Sequence, residues 1–136
     1  MTRTESAVLE TGAAPHALVE IEEFLERTWA VHAHVPHAVR LHLGIAAGEI
    51  AANIVEHTAK GQVVHIRMTV SVLTDAVRID FVDDGAPAQV NLDAVSMPDD
   101  MAERGRGLPL AQAVLDELCY RRTTCNEWTL VSKRFS

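Results

Sequence analysis

Glu49, Asn53 and His57 recur at i, i+4 and i+8 in the run Glu49-Ile-Ala-Ala-Asn53-Ile-Val-Glu-His57. On a helix that spacing draws one polar stripe about 12 Å long. A carboxylate there can take a proton and an amide oxygen can hold a cation. Leu41, Ile45, Ala52 and Val55 border the stripe on one flank, and Leu43, Ala46, Ile50 and Ile54 on the other. A solvated helix face is broad and rich in Lys and Glu, whereas this stripe is narrow and suits the floor of a cleft. Taken alone, the spacing slightly favours a half-buried helix whose polar residues are satisfied locally.

Two further segments add chemistry. Val82-Asp83-Asp84-Gly85-Ala86-Pro87 closes an alternating stretch. A carboxylate fixed at a strand end accepts a hydrogen bond from an exocyclic amine such as that of adenine. Gly85 lets backbone approach a flat base without a Cβ clash. The plain alternative is a strand ending in a polar turn, where Asp-Gly pairs are common. Arg104-Gly105-Arg106-Gly107-Leu108 enters a helix. Its glycines leave N–H groups open beside the positive end of the helix dipole, a place for phosphates, and Arg104 and Arg106 supply charge-assisted bonds. The plain alternative is a basic loop capping a helix. The wording is neither a Walker A motif nor G-x-G-x-x-G after a first strand, so P-loop and Rossmann readings fail.

The elements that must carry these residues follow from periodicity. Residues 1 to 14 read as a frayed terminus with a short strand near Ala7 to Glu10. Leu18, Ile21, Leu25 and Trp29 share one face of a helix from Pro15 to about His34, with Glu20, Glu22, Glu23 and Glu26 opposite. Pro36 interrupts it before a second helix, Val39 to Thr58, stopped by Lys60-Gly61. Val64, Ile66, Met68 and Val70 alternate with polar residues, as do Val77, Ile79 and Phe81, which predicts a hairpin turning at Leu73-Thr74-Asp75. Residues 84 to 104 lose periodicity, and a stretch of that length in a small domain reads as a mobile lid. A third helix spans Leu108 to Leu118 with Leu110, Val114 and Leu118 buried. Strands Tyr120 to Thr124 and Trp128 to Phe135 follow, with a turn at Asn126. The expectation is an α+β domain, a two-layer sandwich of helices on a mostly antiparallel sheet.

E-x3-N-x3-H, a strand-ending D-x-G and a G-x-G entering a helix, in that order, resemble the motifs of the GHKL (Bergerat-fold, histidine-kinase-like) ATPases. The short length and the Gly105-Arg106-Gly107-Leu108 wording look most like the anti-sigma-factor serine kinases. The resemblance covers roughly residues 15 to 135, a single ATP-binding kinase domain. It implies Mg²⁺ and ATP as cofactors, Glu49 as catalytic base, Asn53 as metal ligand and His57 in a supporting role. It also implies that Asp83 with Gly85 reads adenine and that Arg104 to Leu108 hold phosphates. Thr129 would supply a hydroxyl near the base. Two departures stand out: Ala86-Pro87 replaces a further Gly after D-x-G, and Asn126-Glu127-Trp128-Thr129 replaces a Gly-Thr.

Composition narrows the function classes. A chain of 136 residues with 48% hydrophobic and 23% charged residues is one ordinary globular domain. With aromatics at 4%, the core must be mostly aliphatic. A net charge of −7 argues against direct nucleic-acid binding. No uninterrupted apolar run approaches spanning length and no signal-peptide centre is seen, which predicts a cytoplasmic chain without a membrane partner. Cys119 and Cys125 read as unpaired core or strand residues. Of His32, His34 and His37, the first two point about 160° apart on a helix and lie just before Pro36, and no matching Cys or carboxylate is supplied, so the segment reads as a helix end or loop rather than a metal site.

The resemblance therefore implies an ATP-dependent protein serine kinase that restrains a sigma factor, phosphorylates a small antagonist protein and forms a homodimer. The alternative is a non-catalytic, nucleotide-gated binding module of the same fold, which needs Asp83 and Asn53 but no base at Glu49. A histidine-kinase ATP domain is disfavoured, because no phosphoacceptor helix pair precedes the core.

Overall fold

A computed structural model describes residues 5–58, 61–88 and 107–136. Five strands form one antiparallel sheet: β1 Glu5–Gly12, β2 His65–Val72, β3 Val77–Asp83, β4 Leu115–Arg122 and β5 Asn126–Ser132, in spatial order β1-β2-β3-β5-β4. Three helices, α1 Pro15–Val31, α2 His37–Asn53 and α3 Gly107–Val114, complete the regular elements among the described residues, and a π-helical turn, Ile54–Thr58, extends α2. Burial alternates along β2, β3 and β5, so one face of the sheet carries the helices and the other is solvated. This is the two-layer α+β arrangement that the periodicity predicts.

The central β2–β3 hairpin forms as expected. Met68 pairs with Phe81 and Val70 with Ile79, and the turn closes with Leu73 N–H donating to Ala76 O at 2.9 Å. Pro15 starts α1, where its missing N–H is no loss. Pro36 caps α2, and the Arg40 guanidinium ties the connection by donating to the carbonyls of Val35 and Ala33. Gly61 adopts a φ of 81°, the left-handed conformation expected of a helix-stop glycine.

Ile66, Met68, Val70, Ile79, Phe81 and Leu130 meet Ile21, Leu25, Leu43, Ile50 and Ile54 in one core. That core is aliphatic by count, yet its two largest fully buried side chains are Trp128 and Phe81. These two lie on the adjacent strands β3 and β5, where Phe81 pairs with Trp128.

Three expectations are corrected. The N-terminal segment pairs with β2 from Glu5 to Gly12, beyond the short strand expected near Ala7 to Glu10. α3 ends at Val114, and Leu115 to Leu118 belong to β4. A helical spacing of Leu110, Val114 and Leu118 was outweighed by cross-strand pairing of Leu118 with Leu130. Leu110 is exposed and Val114 and Leu118 are only half-buried, whereas Ala111 is fully buried. Asn126 is not a turn residue but the buried first residue of β5, opposite Asp83. The helix over His37–His57 is long and apolar enough to cross a membrane by length and composition, although Arg40, Glu49 and Asn53 interrupt its apolar run. One of its faces (Leu43, Ala46, Ala47, Ile50, Ala51, Ile54) is wholly buried, so it packs as a core helix.

Candidate functional site

The end of β3 is the most constrained polar region of the molecule. Alternation along β3 turns Phe81 and Asp83 towards the helices, leaving Asp83 only 1% exposed. Its Oδ1 accepts the Gly85 N–H at 2.9 Å, the local turn expected of an Asp two residues before Gly, and the Asn126 Nδ2–H at 2.9 Å. Its Oδ2 is buried and has no hydrogen-bond partner among the described residues. Burial raises the Asp83 pKa above the ordinary carboxylate range, opposed by the bonds from Asn126 and Gly85, with the neighbouring Asp84 adding to the rise and Arg122 opposing it. Asp84 plays a different part: exposed, it accepts the His65 N–H at 2.7 Å and so anchors the start of β2. Trp128 Nε1 is a second buried atom left without a partner among the described residues.

Asn126 was missed by motif reading. It is 0% exposed, donates also to Ala86 O at 2.7 Å, and accepts at Oδ1 from Tyr120 Oη and from Arg122 Nη1. Arg122 Nη1 reaches Gly85 O at 2.8 Å, and Tyr120 Oη receives the Ala88 N–H at 3.0 Å. The signal in the sequence was positional: a polar residue where the strand pattern Asn126, Trp128, Leu130 requires an inward side chain.

Thr129 does the opposite of what was expected. The same alternation points it away from the helices, where its Oγ1 donates to Asp80 Oδ1 at 3.0 Å on the solvated face. It lies on the other side of the sheet from Asp83 and cannot reach the same ligand.

The stripe on α2 is placed differently again. Glu49 and Asn53 are half-buried, and neither side chain bonds another described residue. The flank Leu43, Ala46, Ile50 and Ile54 is buried, while Leu41 and Ile45 of the other flank are exposed. At Asn53 the α-helix gives way to the π-helical turn, a widening often found at functional positions. His57 faces solvent: its side chain is 64% exposed and lies 3.7 Å from the similarly exposed Glu56. Gly107 opens α3, and Leu108 packs partly buried against the core. Arg104, Gly105 and Arg106, with the expected lid beyond residue 88, lie outside the described residues.

The ligands implied by the motifs can be tested against these groups. Asp83 Oδ2 is a buried acceptor awaiting a donor, which fits an exocyclic amine. Asn53 carries an uncommitted amide oxygen, which fits one protein ligand to Mg²⁺, an ion commonly held by one or two protein oxygens plus phosphates and water. No cluster of three or more His, Cys, Asp or Glu suited to a metal occurs among the described residues, and His32 and His34 meet only as an edge-on ring pair. A groove of about 770 Å³ runs between α1 and α2, lined by Leu18, Leu25, Trp29, Leu41 and Ile45. It contains none of the motif residues.

The model of the histidine kinase-like ATPase domain matches residues 11–132. No curated protein matches the chain in sequence. Among solved structures, that of the RsbU and RsbW domains of Rv1364c from Mycobacterium tuberculosis superposes with a TM-score of 0.66 at 17% identity. The match covers 96% of this chain and 32% of that one, so this chain spans about a third of its structural neighbour's length.

Proposed function

This chain belongs to the family of histidine kinase-like ATPase domains, and on that premise we propose that it binds Mg·ATP and phosphorylates a serine of a partner protein. The observation that carries the nucleotide reading is the buried, unpartnered Oδ2 of Asp83. Leaving such an acceptor unmade costs about 1–3 kcal/mol, which an amine N–H of adenine would restore. Gly85 and Asn126 fix the carboxylate so that this one lone-pair direction is on offer.

At the other end, Asn53 would hold Mg²⁺, which when bound neutralises phosphate oxygens. Glu49 lies one helical turn before Asn53 and is free to accept the proton of an incoming serine hydroxyl. The serine oxygen then bonds to the γ-phosphorus, the bond to the β–γ bridging oxygen breaks, and ADP leaves. Arg104 to Gly107 are proposed to hold the phosphates at the start of α3, with Leu108 packing the helix start.

The short length and the Gly105-Arg106-Gly107-Leu108 wording support an anti-sigma, partner-switching role, with a sigma factor held and a small antagonist protein phosphorylated. We further propose a cytoplasmic homodimer, the dimer being what the resemblance implies, for which exposed Leu18 and Val19 on α1 provide apolar surface. The test is incubation of the protein with Mg·ATP and a purified antagonist-type protein. Phosphoserine on the antagonist is the expected result. Tight ATP binding with no transfer to any partner would instead make the chain a nucleotide-gated binding module.

A further inference from the structure

We propose that Tyr120, acting through Asn126, is a positioning residue that sets the base selectivity of the site. The proposal rests on the reading of Asp83 as the group that meets adenine. Asn126 has nothing left to offer a ligand. Both its amide hydrogens are used, on Asp83 Oδ1 and Ala86 O, and its Oδ1 accepts from Tyr120 Oη and Arg122 Nη1. Two donors and two acceptors converge on it, so the amide has one allowed orientation. Flipping it would set Oδ1 against the oxygens of Asp83 and Ala86, and the NH₂ against two donors.

The consequence reaches the ligand through Asp83. Its Oδ1 is saturated by Gly85 N–H and Asn126 Nδ2–H, so Oδ2 is presented in a direction fixed by Asn126. Asn126 in turn is locked by the Tyr120 hydroxyl, whose ring packs on Trp128 with centroids 4.7 Å apart. The same hydroxyl receives the Ala88 N–H, and Arg122 holds Gly85 O. The β4–β5 hairpin thus fixes the carboxylate and three backbone groups of the turn after it. A hydrogen bond from an exocyclic amine depends steeply on angle, whereas stacking and phosphate contacts do not. Loosening the clamp should therefore weaken the site for amine-bearing bases in particular.

The experiment compares ADP with IDP, whose hypoxanthine carries a carbonyl in place of the amine. Affinities are measured by calorimetry for the wild type, Tyr120→Phe and Arg122→Gln, with folding checked by thermal melting. The wild type should prefer ADP. Tyr120→Phe should weaken ADP about tenfold, the scale of one lost hydrogen bond, and IDP by less than about twofold. Arg122→Gln, at an exposed side chain that tolerates change, should shift the ratio in the same direction and gives the answer if Tyr120→Phe does not fold. Equal weakening of both nucleotides, or an unchanged ratio in a folded variant, would overturn the positioning role alone. A wild type with no preference for ADP would overturn the reading of Asp83 beneath it.

Discussion

The strand end around Asp83 and the stripe on α2 are built on opposite terms. At the strand end Asp83 and Asn126 are buried and bonded to each other, with one carboxylate oxygen left without a partner among the described residues. On α2, Glu49 and Asn53 are half-buried and bonded to no other described residue, and His57 faces solvent. Burial explains the difference. A polar group removed from water must find a partner, so the strand end arrives preorganised, whereas groups still touching water can stay uncommitted. The first suits recognition of a rigid base. The second suits chemistry in which a base and a metal ligand must be free to meet what arrives.

The largest expected effect tests the uncommitted end. Glu49→Gln keeps shape but removes the base, so single-turnover transfer should fall about 10²–10⁴-fold while ATP affinity holds. Transfer at the wild-type rate would end the assignment of Glu49 as base.

Asp83→Asn probes the committed end. ADP affinity should drop by about 1–3 kcal/mol, the scale of a lost bond to a buried charged group. Stability should move the other way or not at all. Because the folded pKa of Asp83 is raised, its ionised form opposes folding above that pKa, and the opposition fades as pH falls through it. An amide removes the charge and can still accept from Gly85 and Asn126. A melting temperature that falls sharply in the empty variant would show that Asp83 is a structural anchor instead. Wild-type ADP affinity should also decline on acidification earlier than an ordinary carboxylate would dictate, and Asp83→Asn should lack that decline in calorimetric titrations.

A substitution remote from both ends sharpens the contrast. A methyl added at Gly44 in α2 meets nothing within 4 Å. Gly44→Ala should therefore raise unfolding free energy by about 0.5–1 kcal/mol in urea titrations, with nucleotide affinity unchanged. The smallest effect belongs to His57→Ala: an exposed side chain beside Glu56 should alter stability by less than about 0.5 kcal/mol and leave ADP binding intact. A marked loss of binding would return His57 to the site.

Much of this was legible in the chain. Period-two alternation through Val64 to Phe81 placed the hairpin, and Asp83 at its end, because burial of one sheet face imposes that pattern. The helical spacing around Glu49 and Asn53 was equally plain. Thr129 was misplaced because its role came from the motif wording, whereas strand alternation turns Asn126, Trp128 and Leu130 inward and so Thr129 outward. Leu110 to Leu118 misled because apolar residues spaced by four fit a helix until a neighbouring strand claims the second half.

The sequence by itself determined the two-layer fold, the family and the order of the motifs, since these follow from local periodicity and from residue types at fixed spacing. Only the tertiary structure decided that Asn126 rather than Thr129 stands beside Asp83, that Tyr120 and Arg122 complete the bonding of Asn126, and that one oxygen of Asp83 has no partner among the described residues. Asp83 and Asn126 are 43 residues apart in the chain. Contact at that separation is set by strand register and by the need to satisfy buried polar atoms, and neither is written in any local window.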